Sequence, residues 1–168
     1  MGDFYDSWLK GGSIKELIKA LLENAGYSTF PYGYESTYSY ITKKMREKGA
    51  KNSSTARRIK SSPDMLVYDD ERKDVMLVEV KMRSAPKVTD VTYLRLRRYK
   101  DFWHDSILVI VVPCGDVLYA QKINELEIKQ SYNLLTEFEK FEDIFTRVNN
   151  TDLSKFKSHA LEIMKKTP

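Results

Sequence analysis

SSPDMLVYDDERKDVMLVEVKM, from Ser61 to Met82, is two apolar runs around one polar turn. Met65–Asp69 and Asp74–Met82 are rich in Val, Leu and Met, while Asp70-Glu71-Arg72-Lys73 between them has no apolar residue, so the stretch reads as a β-hairpin. Centred between Glu71 and Arg72, such a hairpin sets Asp69 against Asp74 and Asp64 against Glu79. Directly opposed residues of an antiparallel pair project to the same face, with Cβ atoms about 4.5 to 5.5 Å apart. Register alone therefore brings two carboxylates together.

On the second strand one face reads Met76, Val78, Val80 and Met82, and the other Val75, Leu77, Glu79 and Lys81. Both faces are largely apolar, which predicts a central strand covered on two sides. Glu79 and Lys81 then sit on an otherwise buried face, where an unpaired ion costs several kcal/mol. An isolated Glu-x-Lys is common and satisfies itself by internal pairing. With Pro63-Asp64 across the register, the tripeptide acquires a second acid as neighbour.

Upstream, Ser13-Ile14-Lys15-Glu16 has the form of a capping box, and Ile14, Leu17, Ile18, Leu21, Leu22 and Ala25 follow at helical spacing. A helix over about 14 to 25 is expected, with Gly26 as its left-handed C-cap and a strand over Tyr27 to Phe30. After Pro31-Tyr32-Gly33, a tyrosine-rich stretch leads into a second helix that ends near Gly49. Its tyrosines suit packing, with stacking on bases as the other use. Ala50 to Ser62 has no periodicity and reads as a mobile loop leading to Pro63-Asp64.

Charge is unevenly distributed. The chain has 168 residues and a net charge of +4, yet Lys43 to Lys60 holds eight basic residues against one acid, Glu47. Lys43, Lys44, Arg46, Lys48, Lys51, Arg57, Arg58 and Lys60 form a candidate phosphate-binding footprint. A solvated basic face without a partner is the other reading.

Downstream, Asp90 to Trp103 is a predicted helix whose apolar side holds Val91, Leu94, Leu96, Tyr99, Phe102 and Trp103, with Arg95 inside that side and Arg97 and Lys100 toward water. Arg95 is a candidate for contact with a phosphate or with an acid of the site. Strands over Ser106 to Val112 and Val117 to Gln121 follow. A strand, helix, strand order predicts a right-handed crossover in an α/β architecture. Beyond Gln121, Leu134, Phe138, Phe141, Phe145 and Val148 step at helical spacing, Asn149-Asn150 interrupt them, and Leu153, Phe156, Ala160 and Ile163 mark a last helix. We divide the chain into a core over 1–121 and a helical extension over 122–168 packed on it.

Other classes are disfavoured. With 42% hydrophobic and 31% charged residues the composition is that of a folded protein, and the longest apolar run, Ile107 to Val112, is too short to span a bilayer. The N-terminal residues read neither as a signal peptide nor, with Asp6 at the required Ser/Thr position, as a myristoylation site, so no membrane and a cytoplasmic location are expected. Cys114 is the single cysteine and reads as a turn residue; His104 and His159 stand apart and suit surface or helix-end roles.

Pro63-Asp64 followed by Glu79-Val80-Lys81, with Glu79 fifteen positions after Asp64, resembles the PD-(D/E)xK nuclease superfamily, with the archaeal Holliday-junction resolvase-like members nearest. The likeness covers roughly Ser13 to Gln121 and implies a restriction endonuclease-like αβββαβ core with a mixed central sheet flanked by helices. It implies Asp64, Glu79 and the Val80 backbone carbonyl as ligands of Mg²⁺ or Mn²⁺, and Lys81 as the residue that orients or activates the attacking water. A further glutamate from the leading helix maps to Glu16, with Glu35 as the second candidate. RecB-like members carry Gln-x-x-x-Tyr on the crossover helix; here Arg95 replaces the glutamine and Tyr99 is kept.

The expectation is a Mg²⁺-dependent nuclease, an endonuclease acting on DNA, bound through Lys43, Lys44, Arg46, Lys51, Arg57, Arg58, Lys60, Arg95 and Tyr99. A homodimer is expected by resemblance alone. The alternatives are a nucleic-acid-binding module on the same fold that no longer cuts, and a plain structural hairpin whose basic segment meets an acidic protein.

Overall fold

The computed structural model describes residues 14–33, 39–48, 53–83, 87–88, 90–112, 117–129 and 131–165. Expectations that rest on Ser13, Glu35, Lys51 or Cys114, or on the side chains of Arg46, Lys48 and Arg95, lie outside the described residues.

The hairpin has the expected register. Strands β2 (Met65–Asp69) and β3 (Asp74–Met82) pair antiparallel, with Asp69 opposite Asp74 and Met65 opposite Val78. Asp69 holds the turn by accepting from the Glu71 and Arg72 N–H groups at 3.1 and 3.2 Å, and Lys73 takes a positive φ of 55° to close it. One side chain thus satisfies two turn donors, which makes the register a local decision.

The leading helix α1 covers 14–24. It buries Ile14, Ile18, Leu21 and Leu22 and ends as expected at Gly26, whose φ is 90°. Tyr27 N–H donates to the Leu22 carbonyl and Gly26 N–H to that of Glu23, both at 3.0 Å, the paired C-terminal bonds for which a residue without Cβ is preferred. Strand β1 (Ser28–Pro31) then pairs antiparallel with β2.

Helix α2 (Ser39–Lys48) follows. The segment expected to be a mobile loop contains instead a helix, α3 (Ser54–Lys60), capped by the Ser53 hydroxyl on the Ala56 N–H. At its other end the Ser61 and Ser62 hydroxyls donate to the carbonyls of Arg57, Arg58 and Ile59, and Trp103 Nε1 donates to Arg58 O and Ser61 Oγ at 3.3 Å. Seven residues are too few to show a period, and caps and docking hold the helix.

Beyond β3 come a short strand, β4 (Lys87–Val88), helix α4 (Asp90–Phe102), and strands β5 (Ile107–Val112) and β6 (Val117–Lys122). β3 and β5 pair parallel, so α4 is the crossover between them. The six-stranded mixed sheet runs β1-β2-β3-β5-β6-β8, its last strand being the short β8 (Glu139–Lys140). Alternate residues of β5 serve two cores: Ile107, Val109 and Val111 join α1, while Leu108, Ile110 and Val112 join Leu96 and Tyr99 of α4. The fold is α/β, with helices on both faces of the sheet.

In the C-terminal part the Leu134 to Val148 pattern is not one helix. It divides into β7 (Tyr132–Asn133, paired with β4), α5 (Leu134–Glu137), β8 (Glu139–Lys140) and α6 (Phe141–Ile144), with α7 (Asn150–Lys165) last. All five spaced residues are buried, Leu134 and Phe138 in the α4-side core and Phe141, Phe145 and Val148 in the other. Because β8 pairs with β6, residues two turns apart in the expected helix reach opposite faces of the sheet. No helix among the described residues is long and apolar enough to cross a membrane.

Candidate functional site

The β2–β3 ladder ends at the Met65–Val78 pair, and Asp64 takes over beyond it with its side chain. Asp64 Oδ2 accepts from the Val80 N–H at 2.9 Å, where a continuing strand would have offered a carbonyl. The Asp64 carbonyl in turn accepts from the N–H groups of Tyr32 and Gly33, each at 3.1 Å, so the loop after β1 fixes its backbone. Lys15 Nζ of α1 lies 2.6 Å from Asp64 Oδ1. In a strand the N–H and C=O of one residue point to the same neighbour, so the Val80 carbonyl is directed to the side where Asp64 sits.

Glu79 lies opposite Leu108 of β5 and shares the sheet face covered by α4. It is 2% exposed. Its Oε1 accepts from Tyr99 Oη at 2.5 Å and from Lys81 Nζ, whereas its Oε2 is buried with no partner. Burial pushes the Glu79 pKa up and the charge of Asp64 adds to the rise, against the lowering effect of Lys81 and Tyr99. The internal Glu79–Lys81 pairing is therefore present, but it does not satisfy the glutamate.

A cavity of about 670 Å³ opens at this end of the hairpin. It is lined by Asp64, Glu79 and Lys81 of the hairpin, by Lys15 and Lys19 of α1, and by Lys60 and Arg98. The site expected from the hairpin is thus concave, and cations outnumber acids around it.

Whether the residues fit a hard divalent cation is decided by Glu79 Oε2. A buried carboxylate oxygen without a hydrogen bond, close enough to a second carboxylate for their charges to interact, is a cation donor left over by the protein's own bonding. Among the described residues no three His, Cys, Asp or Glu side chains group closely enough to hold a metal by themselves. The donor set is then two carboxylates with the Val80 carbonyl beside them. Glu16 lines the cavity but is exposed and completes no such three-acid group.

The expected basic contacts separate into groups. Lys60 lines the cavity, while Arg57 and Arg58 are exposed on α3, with Arg58 over the Trp103 ring at 5.3 Å. Lys43 and Lys44 are exposed on α2, where Lys44 lies 5.7 Å from the ring of Tyr40, and neither belongs to the cavity. Tyr99, expected to meet nucleic acid, is 6% exposed and commits its hydroxyl to Glu79. Lys100, expected to face water, is half-buried and donates to the Leu126 carbonyl.

Sequence reasoning missed Lys15, Lys19 and Arg98. The i, i+4 spacing of Lys15 and Lys19 puts them on one side of α1, and Arg98 immediately precedes Tyr99, so weak signals existed.

No protein-family model and no curated protein matches the sequence. Among solved structures, the chain is similar to Hjc of Archaeoglobus fulgidus, a Holliday junction resolvase from an archaeal hyperthermophile, at 12% identity over 80% of this chain and 94% of that one, with a TM-score of 0.49.

Proposed function

We propose that the chain is a metal-dependent nuclease, an endonuclease that hydrolyses phosphodiester bonds in DNA. The observation that carries this reading is the meeting of Asp64, Glu79 and Lys81 in a cavity walled by Lys15, Lys19, Lys60 and Arg98, with Glu79 Oε2 buried and unpartnered. A hard cation such as Mg²⁺ or Mn²⁺ held by Asp64, Glu79 and the Val80 carbonyl would polarise the phosphoryl group and lower the pKa of a water.

The protein's own residues have separable tasks. The Val80 N–H fixes the Asp64 carboxylate, and Tyr99 Oη fixes that of Glu79, so the two acids are set before any ligand arrives. Lys81 Nζ pairs with Glu79 and would place a positive charge where an attacking oxygen and a phosphate oxygen approach. Lys60, with Arg57 and Arg58 outside the cavity, continues the basic lining along α3 and would hold the nucleic-acid backbone.

Cleavage of single-stranded, duplex, flap and four-way DNA, and of RNA, in Mg²⁺, Mn²⁺ and EDTA tests the proposal. Metal-dependent cutting that disappears in Asp64→Ala and in Lys81→Ala is expected; undiminished cutting by either purified variant defeats it. The second reading, a binding module that does not cut, is favoured by one observation, that each carboxylate already has a lysine on it. Binding indifferent to Mg²⁺, with no cleavage of any substrate, selects it.

A further inference from the structure

Asp64 and Glu79 each meet a lysine, but from different elements. Lys81 stands on the same strand as Glu79, two residues on, and is 16% exposed. Lys15 belongs to α1 and reaches Asp64 from across the cavity, with a side chain 42% exposed against 13% for Asp64. Both oxygens of Asp64 are thereby engaged, Oδ2 by the Val80 N–H and Oδ1 by the Lys15 ammonium. Of these partners the backbone N–H is fixed by the strand, whereas the lysine has a flexible stem and solvent to move into.

We propose that Lys15 is a resident counter-ion of the metal position: it occupies Asp64 Oδ1 in competition with a divalent cation and must release that oxygen for the cation to bind. The inference rests on the reading of Asp64 as a metal ligand. Glu79 Oε2 stands ready for a cation, while Asp64 offers an oxygen only when an ammonium leaves it. Cation affinity is therefore set below what the two carboxylates would reach alone. Lys15 acts on the metal through Asp64, as a positioning residue and not as a ligand.

The test is calorimetric titration of the EDTA-stripped protein with Mn²⁺ at low ionic strength, with no nucleic acid present. Lys15→Gln is expected to bind Mn²⁺ up to about fivefold more tightly than wild type, the upper range for a partly exposed ion pair. Lys15→Arg, which restores the pair, should return to within about twofold of wild type. Lys19→Gln removes the same charge from the same cavity and should change the affinity less than Lys15→Gln does.

Melting curves in EDTA show that each variant is folded; should Lys15→Gln melt early, Lys15→Met keeps the packing of the stem and carries the same comparison. An affinity of Lys15→Gln equal to wild type or to Lys19→Gln, or weaker, overturns the counter-ion role. If in that case Asp64→Asn still abolishes Mn²⁺ binding, the metal reading stands without it. No saturable Mn²⁺ binding by any variant, wild type included, overturns both.

Discussion

The β2–β3 hairpin carries a cluster of acids and a base at each of its ends, and the two clusters behave differently. At the turn, Arg147 donates to Asp70 Oδ1 at 2.9 Å and to the Gly26 carbonyl at 2.8 Å, lies 4.1 Å from the centre of the Tyr27 ring, and stands 3.6 Å from Asp69 and 3.4 Å from Glu71. Asp69 is buried, yet it accepts two backbone N–H bonds. Hydrogen bonding to Arg147 lowers the pKa of Asp70, and the acids around Arg147 raise that of the guanidinium against the opposing effect of burial. Arg147 and Asp70 thus each favour the ionised form of the other, and the guanidinium leaves only its Nε without a partner.

At the open end the balance is reversed. Glu79 is as buried as Asp69, but one of its oxygens has no hydrogen bond and its pKa is raised. The turn cluster joins residue 147 to the hairpin and to the end of α1, and none of its residues lines the cavity at the open end. The open-end cluster faces one. Composition is nearly the same at the two ends; satisfaction and access separate a structural clamp from a candidate site.

The comparison breaks if the open-end residues prove to be structural. Asp64→Ala and Lys81→Ala are expected to lower metal-dependent cleavage by about three orders of magnitude, since each removes several kcal/mol of transition-state stabilisation, while melting temperatures stay near wild type. Steady-state cleavage assays with melting curves on the same preparations check this. Tyr99→Phe, which removes only the hydroxyl on Glu79 Oε1, should cost about tenfold in kcat and keep the fold.

The turn end should respond in the opposite way. Arg147→Ala is expected to lower Tm by several degrees and leave kcat per folded molecule unchanged. A loss of kcat without a loss of Tm would erase the distinction between the ends.

The smallest effect is the pH dependence of Glu79. Its folded pKa is raised, so its contribution to stability is fully present below the unfolded value of about 4.3 and is lost as pH rises through the higher folded value. In EDTA, Glu79→Gln should therefore melt above wild type at pH 8, with the difference shrinking toward pH 4. A gap that grows on acidification contradicts the sign. Adding Mg²⁺ at pH 8 should raise the wild-type Tm and leave that of Asp64→Asn unchanged.

What could be read without coordinates was whatever short-range chemistry decides. The β2–β3 register, and with it the approach of Asp64 to Glu79, follows from a four-residue polar turn; the end of α1 follows from Gly26; the burial of β5 on both faces follows from six consecutive apolar residues. The helix α3 was not legible, because its caps and its dock on Trp103 lie outside any periodic pattern. Nor was the division of residues 132–148 into strand and helix pieces, since the same spacing serves one helix or two cores on opposite faces of a sheet.

By itself the sequence determined that two carboxylates and a lysine share the end of one hairpin, for a hairpin's pairing is local and its side chains alternate with a strict period. Only the tertiary structure decided which oxygens they have left. Lys15 on Asp64, Tyr99 on Glu79, and the bare Oε2 between them depend on how α1 and α4 pack against the sheet, and no local pattern encodes that packing.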